Sequence, residues 1–122
     1  MILIADDNQQ VRRMMRDLIE DIDPEIVECE DGGGAIAAYE EHHPDFVLMD
    51  IHMKPVDGLS ATREILSRYP DAKIIAVTQY QDTSTREAAM SLGMWAFVVK
   101  DDLMSLRVLL LQTGSDRSVG SS

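Results

Sequence analysis

The 122-residue chain is expected to fold as one doubly wound α/β domain, and two observations carry that expectation. Five short apolar runs alternate with five segments of helical periodicity, and strands joined through helices must lie parallel in a sheet covered on both faces. Four of these runs end at Asp6, Asp50, Thr78 and Lys100, on the edge where open parallel sheets hold ligands.

Ile2-Leu3-Ile4-Ala5 is the first run and stops at Asp6-Asp7, with Asn8 positioned to cap the helix that follows. Val11, Met14, Met15, Leu18, Ile19 and Ile22 recur at spacings of three and four, one face of an amphipathic helix that Pro24 ends. Ile26-Val27-Glu28-Cys29-Glu30 is short, β-branched and alternating, which predicts a strand near a sheet edge. Asp31 to Gly34 is then expected to turn the chain. Ala35, Ile36, Ala38 and Tyr39 predict a thin second helix ending near Pro44.

Phe46-Val47-Leu48-Met49 reads as a strand buried on both faces that delivers Asp50 at its C-terminal end. After the turn containing Pro55 and Gly58, Leu59, Thr62, Ile65, Leu66 and Tyr69 predict a third helix ending near Pro70. Ile74 to Val77 is the fourth strand, with Thr78 at its end. Gln79 to Asp82 is expected as a polar loop, Thr83 to Leu92 as a helix closed by Gly93, and Ala96 to Val99 as the last strand, with Lys100 at its end. Asp101 or Asp102 is positioned to cap a final helix carrying Leu103, Met104, Leu106, Val108, Leu109, Leu110 and Leu111. That is more apolar surface than one buried face holds: Val108 and Leu111 cannot both face inward with Leu103, Leu106 and Leu110, and a partner surface is expected there. The domain is expected over residues 1–112, with 113–122 a Gly/Ser-rich flexible tail or the start of a linker.

Eleven Lys and Arg against twenty-two Asp and Glu give a formal charge of -11, which argues against direct nucleic-acid binding and against anionic membranes. Cys29 is the only cysteine, so it makes no internal disulfide, and its apolar setting reads as a buried thiol. No apolar run approaches the length of a spanning helix, and Met1 leads straight into a strand pattern. A soluble, cytoplasmic protein is expected.

A strand order of 2-1-3-4-5 would make the first and third strands neighbours where the order reverses, bringing Asp6, Asp7 and Asp50 into one crevice facing Thr78 and Lys100. Three carboxylates together repel unless a cation or a proton relieves them. Oxygen ligands without His or Cys favour Mg²⁺, which keeps positions open for phosphate oxygens. Asp50 is then the candidate nucleophile for a phosphoryl group, Lys100 its counter-charge, and Thr78 a hydroxyl donor to the new group whose inward movement would shift its loop.

These residues carry a resemblance. Ile4-Ala5-Asp6-Asp7, Leu48-Met49-Asp50 followed by Asp57-Gly58, Val77-Thr78, and Phe97-Val98-Val99-Lys100 together resemble a response-regulator receiver domain of two-component signalling, over Met1 to about Gln112. The resemblance implies a flavodoxin-like (βα)5 fold. It implies that Asp50 is phosphorylated by a sensor histidine kinase or histidine phosphotransfer protein. It further implies Mg²⁺ held by Asp6, Asp7, Asp50 and the backbone carbonyl of His52, and a switch role for Phe97 beside Thr78. Lys54, Gln79 and Asp101 depart from the usual pattern, and none of these changes removes a reactive group.

The expected function is a phosphorylation-dependent switch, with phosphoryl chemistry directed only at itself, acting on protein contacts, a homodimer or an output domain through the last helix and strand. A receiver-like binding module that is never phosphorylated is the alternative, and a phosphatase acting on external substrates lacks an evident second acid or base. Asp31-Gly32-Gly33-Gly34 lacks the Gly-Lys-Ser/Thr ending of a nucleotide loop. His42 and His43, adjacent on a helix, do not converge on a metal.

Overall fold

The computed structural model describes residues 1–79 and 83–120, with side chains to residue 112, so part of the expected polar loop (residues 80–82) lies outside the described residues. In chain order the elements are β1 (Ile2–Ala5), α1 (Gln9–Ile19), β2 (Ile26–Cys29), α2 (Gly32–His42), β3 (Phe46–Asp50), α3 (Gly58–Arg68), β4 (Ile74–Thr78), α4 (Thr83–Leu92), β5 (Ala96–Val99) and α5 (Met104–Gly120), with a 3-10 turn at Lys100–Asp102. The strands form one parallel sheet in the order β2-β1-β3-β4-β5, as expected for a flavodoxin-like receiver fold. Among the described residues no helix is long and apolar enough to cross a membrane.

Strands alternate their side chains between faces, which splits the core in two. Leu3, Val47, Met49, Ile74 and Ala76 pack against Ala35 and Tyr39 of α2, Ile65 of α3 and Ala89 of α4. Ile2, Ile4, Leu48, Ile75 and Val77 pack against Met15 and Ile19 of α1, Leu103 just before α5, and Leu106 and Leu110 of α5. The central strands β1, β3 and β4 are buried throughout, and β2, at the edge, is only half-buried.

Three local expectations differ from the structure. Asp31 to Gly34 is not a turn: Asp31 caps α2 by accepting from the Gly34 amide at 2.8 Å, and the glycines form its first turn. Glycine is required at position 32, where a Cβ would lie 2.7 Å from the Val56 carbonyl oxygen that accepts the Gly32 amide. Asp101 and Asp102 fall in the 3-10 turn before α5, and Asp102 accepts from the Ser105 hydroxyl at 2.5 Å. The backbone of α5 continues to Gly120, past residue 112, because each added residue of an established helix gains a hydrogen bond and no proline intervenes. Val108 and Leu111 both point outward, 49% and 46% exposed, in keeping with the expectation that they could not both face inward.

Candidate functional site: an acidic crevice with a lysine

Strand register assembles the site. Ala5 pairs with Met49, so Asp6 and Asp50, the next residues along β1 and β3, are lateral neighbours at the C-terminal edge of the sheet. Asp50 pairs with Val77 and Thr78 pairs with Val99, which sets Thr78 and Lys100 one step further along the same edge. Asp6, Asp50 and Thr78 are all buried, and Asp7, the next residue after Asp6, is exposed.

One carboxylate oxygen from each of Asp6, Asp7 and Asp50 lies within 4.8 Å of the others. Lys100 Nζ stands 2.8 Å from Asp6 Oδ2 and 3.3 Å from Asp50 Oδ2. The backbone fixes the other two oxygens: the Asn8 amide donates to Asp6 Oδ1 at 2.8 Å and the His52 amide donates to Asp50 Oδ1 at 3.2 Å. The loop that follows Asp50 contains a cis Lys54-Pro55 peptide and is tied to α2 through Gly32 and to α3 through the Gly58 amide, which donates to the Ile51 carbonyl at 2.9 Å.

Burial raises the pKa of Asp50, and the charge of Asp6 raises it further, against the opposing pull of Lys100 and of the His52 amide. Burial alone would lower the pKa of Lys100, but its ion contacts with Asp6 and Asp50 outweigh that and hold it above the usual lysine value. A permanent cation therefore sits between two crowded carboxylates, and it does not relieve them fully. Asp6 Oδ2 is buried and meets the ammonium as an ion pair without hydrogen-bond geometry, so it keeps unused acceptor capacity. An all-oxygen donor set with a spare buried carboxylate oxygen fits a hard divalent cation such as Mg²⁺.

The sequence-predicted residues thus separate into groups. Asp6, Asp7, Asp50 and Lys100 come together, with Thr78 on the same edge and His52 in the adjoining loop. The half-buried ring of Phe97 packs against the core cluster that includes Ala89 of α4, with the Arg86 guanidinium carbon 5.8 Å from its centre. Cys29 is half-buried, and burial pushes its thiol up to about 11.

One residue escaped the sequence reading. Arg12 is buried, and its Nη1 donates to the Asp6 backbone carbonyl at 2.7 Å. Its signal was present in the helical phase: Arg12, Met15 and Ile19 occupy one buried face of α1, whereas apolar Met14 is 53% exposed.

The chain is 36% identical to the chemotaxis protein CheY of Listeria monocytogenes over 100 residues, covering 81% of this chain and 84% of that protein. It is 33% identical to the transcriptional regulatory protein DegU of Brevibacillus brevis over 103 residues, 82% of this chain but 43% of DegU, so it spans less than half of that relative. The crystal structure of a LuxR-family DNA-binding response regulator from Staphylococcus aureus superposes with a TM-score of 0.83 at 28% identity, covering 91% of this chain and 95% of that one. The model of the response regulator receiver domain matches residues 2–110, and with its parallel five-stranded sheet and its acidic crevice the chain belongs to that family.

Proposed function

We propose that this receiver domain is switched by phosphorylation of Asp50. The observation that carries the reading is Lys100 Nζ held between Asp6 and Asp50 beside a third carboxylate, an arrangement suited to neutralising a phosphoryl group. Asp6, Asp7, Asp50 and the His52 carbonyl would hold Mg²⁺, which when bound supplies charge neutralisation for phosphate oxygens.

An Asp50 carboxylate oxygen attacks phosphorus in line. The new O–P bond forms as the P–N bond of a phosphohistidine on a histidine kinase or phosphotransfer protein breaks, and the departing imidazole nitrogen takes up a proton. The His52 amide holds Oδ1 of the carboxylate, which fixes the direction of attack. Lys100 exchanges its contact with Asp50 for one with the transferred group. Thr78, buried at the end of β4, offers its hydroxyl to that group, and its movement is read out through β5, with Phe97 adjusting in turn.

The output surface is the outer face of α5 beside β5. Met104, Val108 and Leu111 are exposed there, and Phe97, Met104, Val108 and Leu109 help to line a cavity of about 470 Å³. A homodimer partner or an output domain would cover this face. In the relatives named as transcriptional regulators, the remainder of the chain would be the output.

Intact mass after incubation with acetyl phosphate and Mg²⁺ tests the reading. A single phosphoryl adduct is expected, absent from Asp50→Asn and from a chelated control. A folded protein without an adduct would instead favour a binding module that works unphosphorylated.

A further inference from the structure

Arg12 is the one strongly charged side chain of α1 that is buried, and its contacts point away from simple surface pairing. Nε donates to Glu28 Oε1 at 3.1 Å, Nη2 lies 3.9 Å from Glu30 Oε1, and Nη1 donates to the Asp6 carbonyl at 2.7 Å. Burying a guanidinium is costly unless each edge is matched. Two edges face β2 and the residue after it, and the third holds the backbone of the acidic crevice.

That third contact has a geometric consequence. The Asp6 carbonyl belongs to the planar peptide joining Asp6 to Asp7, so fixing its oxygen fixes where the Asp7 Cα stands and the direction in which Asp7 leaves the strand. Asp6 is already held by the Cys29 carbonyl, which accepts its amide at 3.1 Å, and by the Asn8 amide on its side chain. Asp7 is exposed, and among the described residues its carboxylate has no hydrogen bond or ion pair of its own. Its placement over the crevice depends on the backbone alone.

Arg12 is not alone in attaching α1 to β2. Arg16 Nε donates to Glu28 Oε2 at 2.9 Å and its Nη2 lies 2.7 Å from the same oxygen. The Asp6 carbonyl contact is the part of the cluster that Arg16 does not duplicate.

We infer that Arg12 is a positioning residue for divalent-cation binding: by holding the Asp6–Asp7 peptide it aims Asp7 into the site. This rests on the proposed Mg²⁺ site, and the test separates the two. Mn²⁺ binding is measured by electron paramagnetic resonance on the parent, Arg12→Met, Arg12→Lys and Glu28→Gln, with thermal unfolding of each and the Mg²⁺ dependence of acetyl phosphate labelling. Arg12→Met is expected to weaken Mn²⁺ binding about tenfold, the usual effect of removing a group that orients a ligand. Its half-saturating Mg²⁺ for labelling rises in step, while the labelling rate at saturating Mg²⁺ stays near that of the parent. Arg12→Lys recovers part of the affinity through one retained donor.

Glu28→Gln loses charge pairing but keeps an acceptor for Arg12, so its stability falls while its Mn²⁺ affinity stays within about twofold of the parent. A purely structural Arg12 would lower unfolding temperature and leave Mn²⁺ affinity unchanged, which would overturn the inference. If Arg12→Met does not fold, equal Mn²⁺ affinity in Arg12→Lys and the parent overturns it. Failure of the parent to bind Mn²⁺ overturns the proposed metal site itself, and the inference with it.

Discussion

Gly58 packs its backbone directly on the carbonyl of Asp50, and a Cβ at position 58 would collide with that oxygen. The contact joins the first residue of α3 to the residue that ends β3, with Asp57 capping the helix by accepting from the Ser60 amide at 2.7 Å. Since both neighbours are main chain, neither yields cheaply. Gly58→Ala should cost about 1–3 kcal/mol in urea unfolding. It should also slow labelling of Asp50 by acetyl phosphate, because the strain falls on the acceptor's own peptide.

Lys100 and Asp50 make opposite predictions for stability without metal. Lys100→Met removes the cation that pairs with both Asp6 and Asp50, leaves two buried carboxylates facing each other, and should cost about 3 kcal/mol at neutral pH. Added Mg²⁺ should restore part of that loss. Asp50→Asn relieves the same crowding, so its metal-free unfolding temperature should rise by about 3–6 °C, and Mg²⁺ should stabilise it less than the parent. Calorimetry with and without Mg²⁺ checks both variants.

Glu28 predicts how stability responds to acid. Burial pushes its pKa up, but hydrogen bonds from Arg16 and Arg12 outweigh that and bring it below the usual 4.5. A carboxylate depressed in the folded state contributes stability that is present above the unfolded pKa and lost as pH falls through the folded one. Glu28→Gln should therefore be less stable than the parent by about 1 kcal/mol at pH 7, and the difference should shrink as pH falls below the usual glutamate range. A difference independent of pH, in unfolding series at several pH values, would contradict the ion-pair account.

The two sides of α5 should respond differently to substitution. Leu106 is fully buried against the sheet, and Leu106→Ala should cost about 2–5 kcal/mol. Val108→Glu and Leu111→Glu, on the outer face, should change stability by less than about 0.5 kcal/mol. Sedimentation before and after phosphorylation should show any self-association of the parent abolished in the Glu variants.

Much of this molecule could be read from local pattern. The run Phe46 to Met49 announced a buried strand with Asp50 at its end, the spacing of Met15, Leu18 and Ile19 announced an amphipathic helix, and seven apolar residues on the last helix announced more than one buried face could hold. What the local pattern missed depended on contacts made in the folded chain. Gly32 to Gly34 looked like a turn because glycine is weak in helices, yet Asp31 caps them and Val56 demands a glycine at the contact. Arg12 went unassigned: its helical phase with Met15 and Ile19 marks a buried face, but the groups that meet it there, Glu28, Glu30 and the Asp6 carbonyl, are set by packing.

Amino-acid order alone determined the element sequence, the parallel α/β class and the identity of the residue ending each strand, because side-chain periodicity and punctuation by Pro, Gly and capping residues act over a few positions. Pairing of Ala5 with Met49, the 2.8 Å approach of Lys100 to Asp6 and the anchoring of the Asp6 peptide by Arg12 were decided only when the sheet and its helices packed. The first two join residues far apart in the chain, and the third, between residues six apart, is completed by Glu28 and Glu30 from β2 and the residue after it. Their distances follow from strand register and shared burial, which no local stretch of sequence specifies.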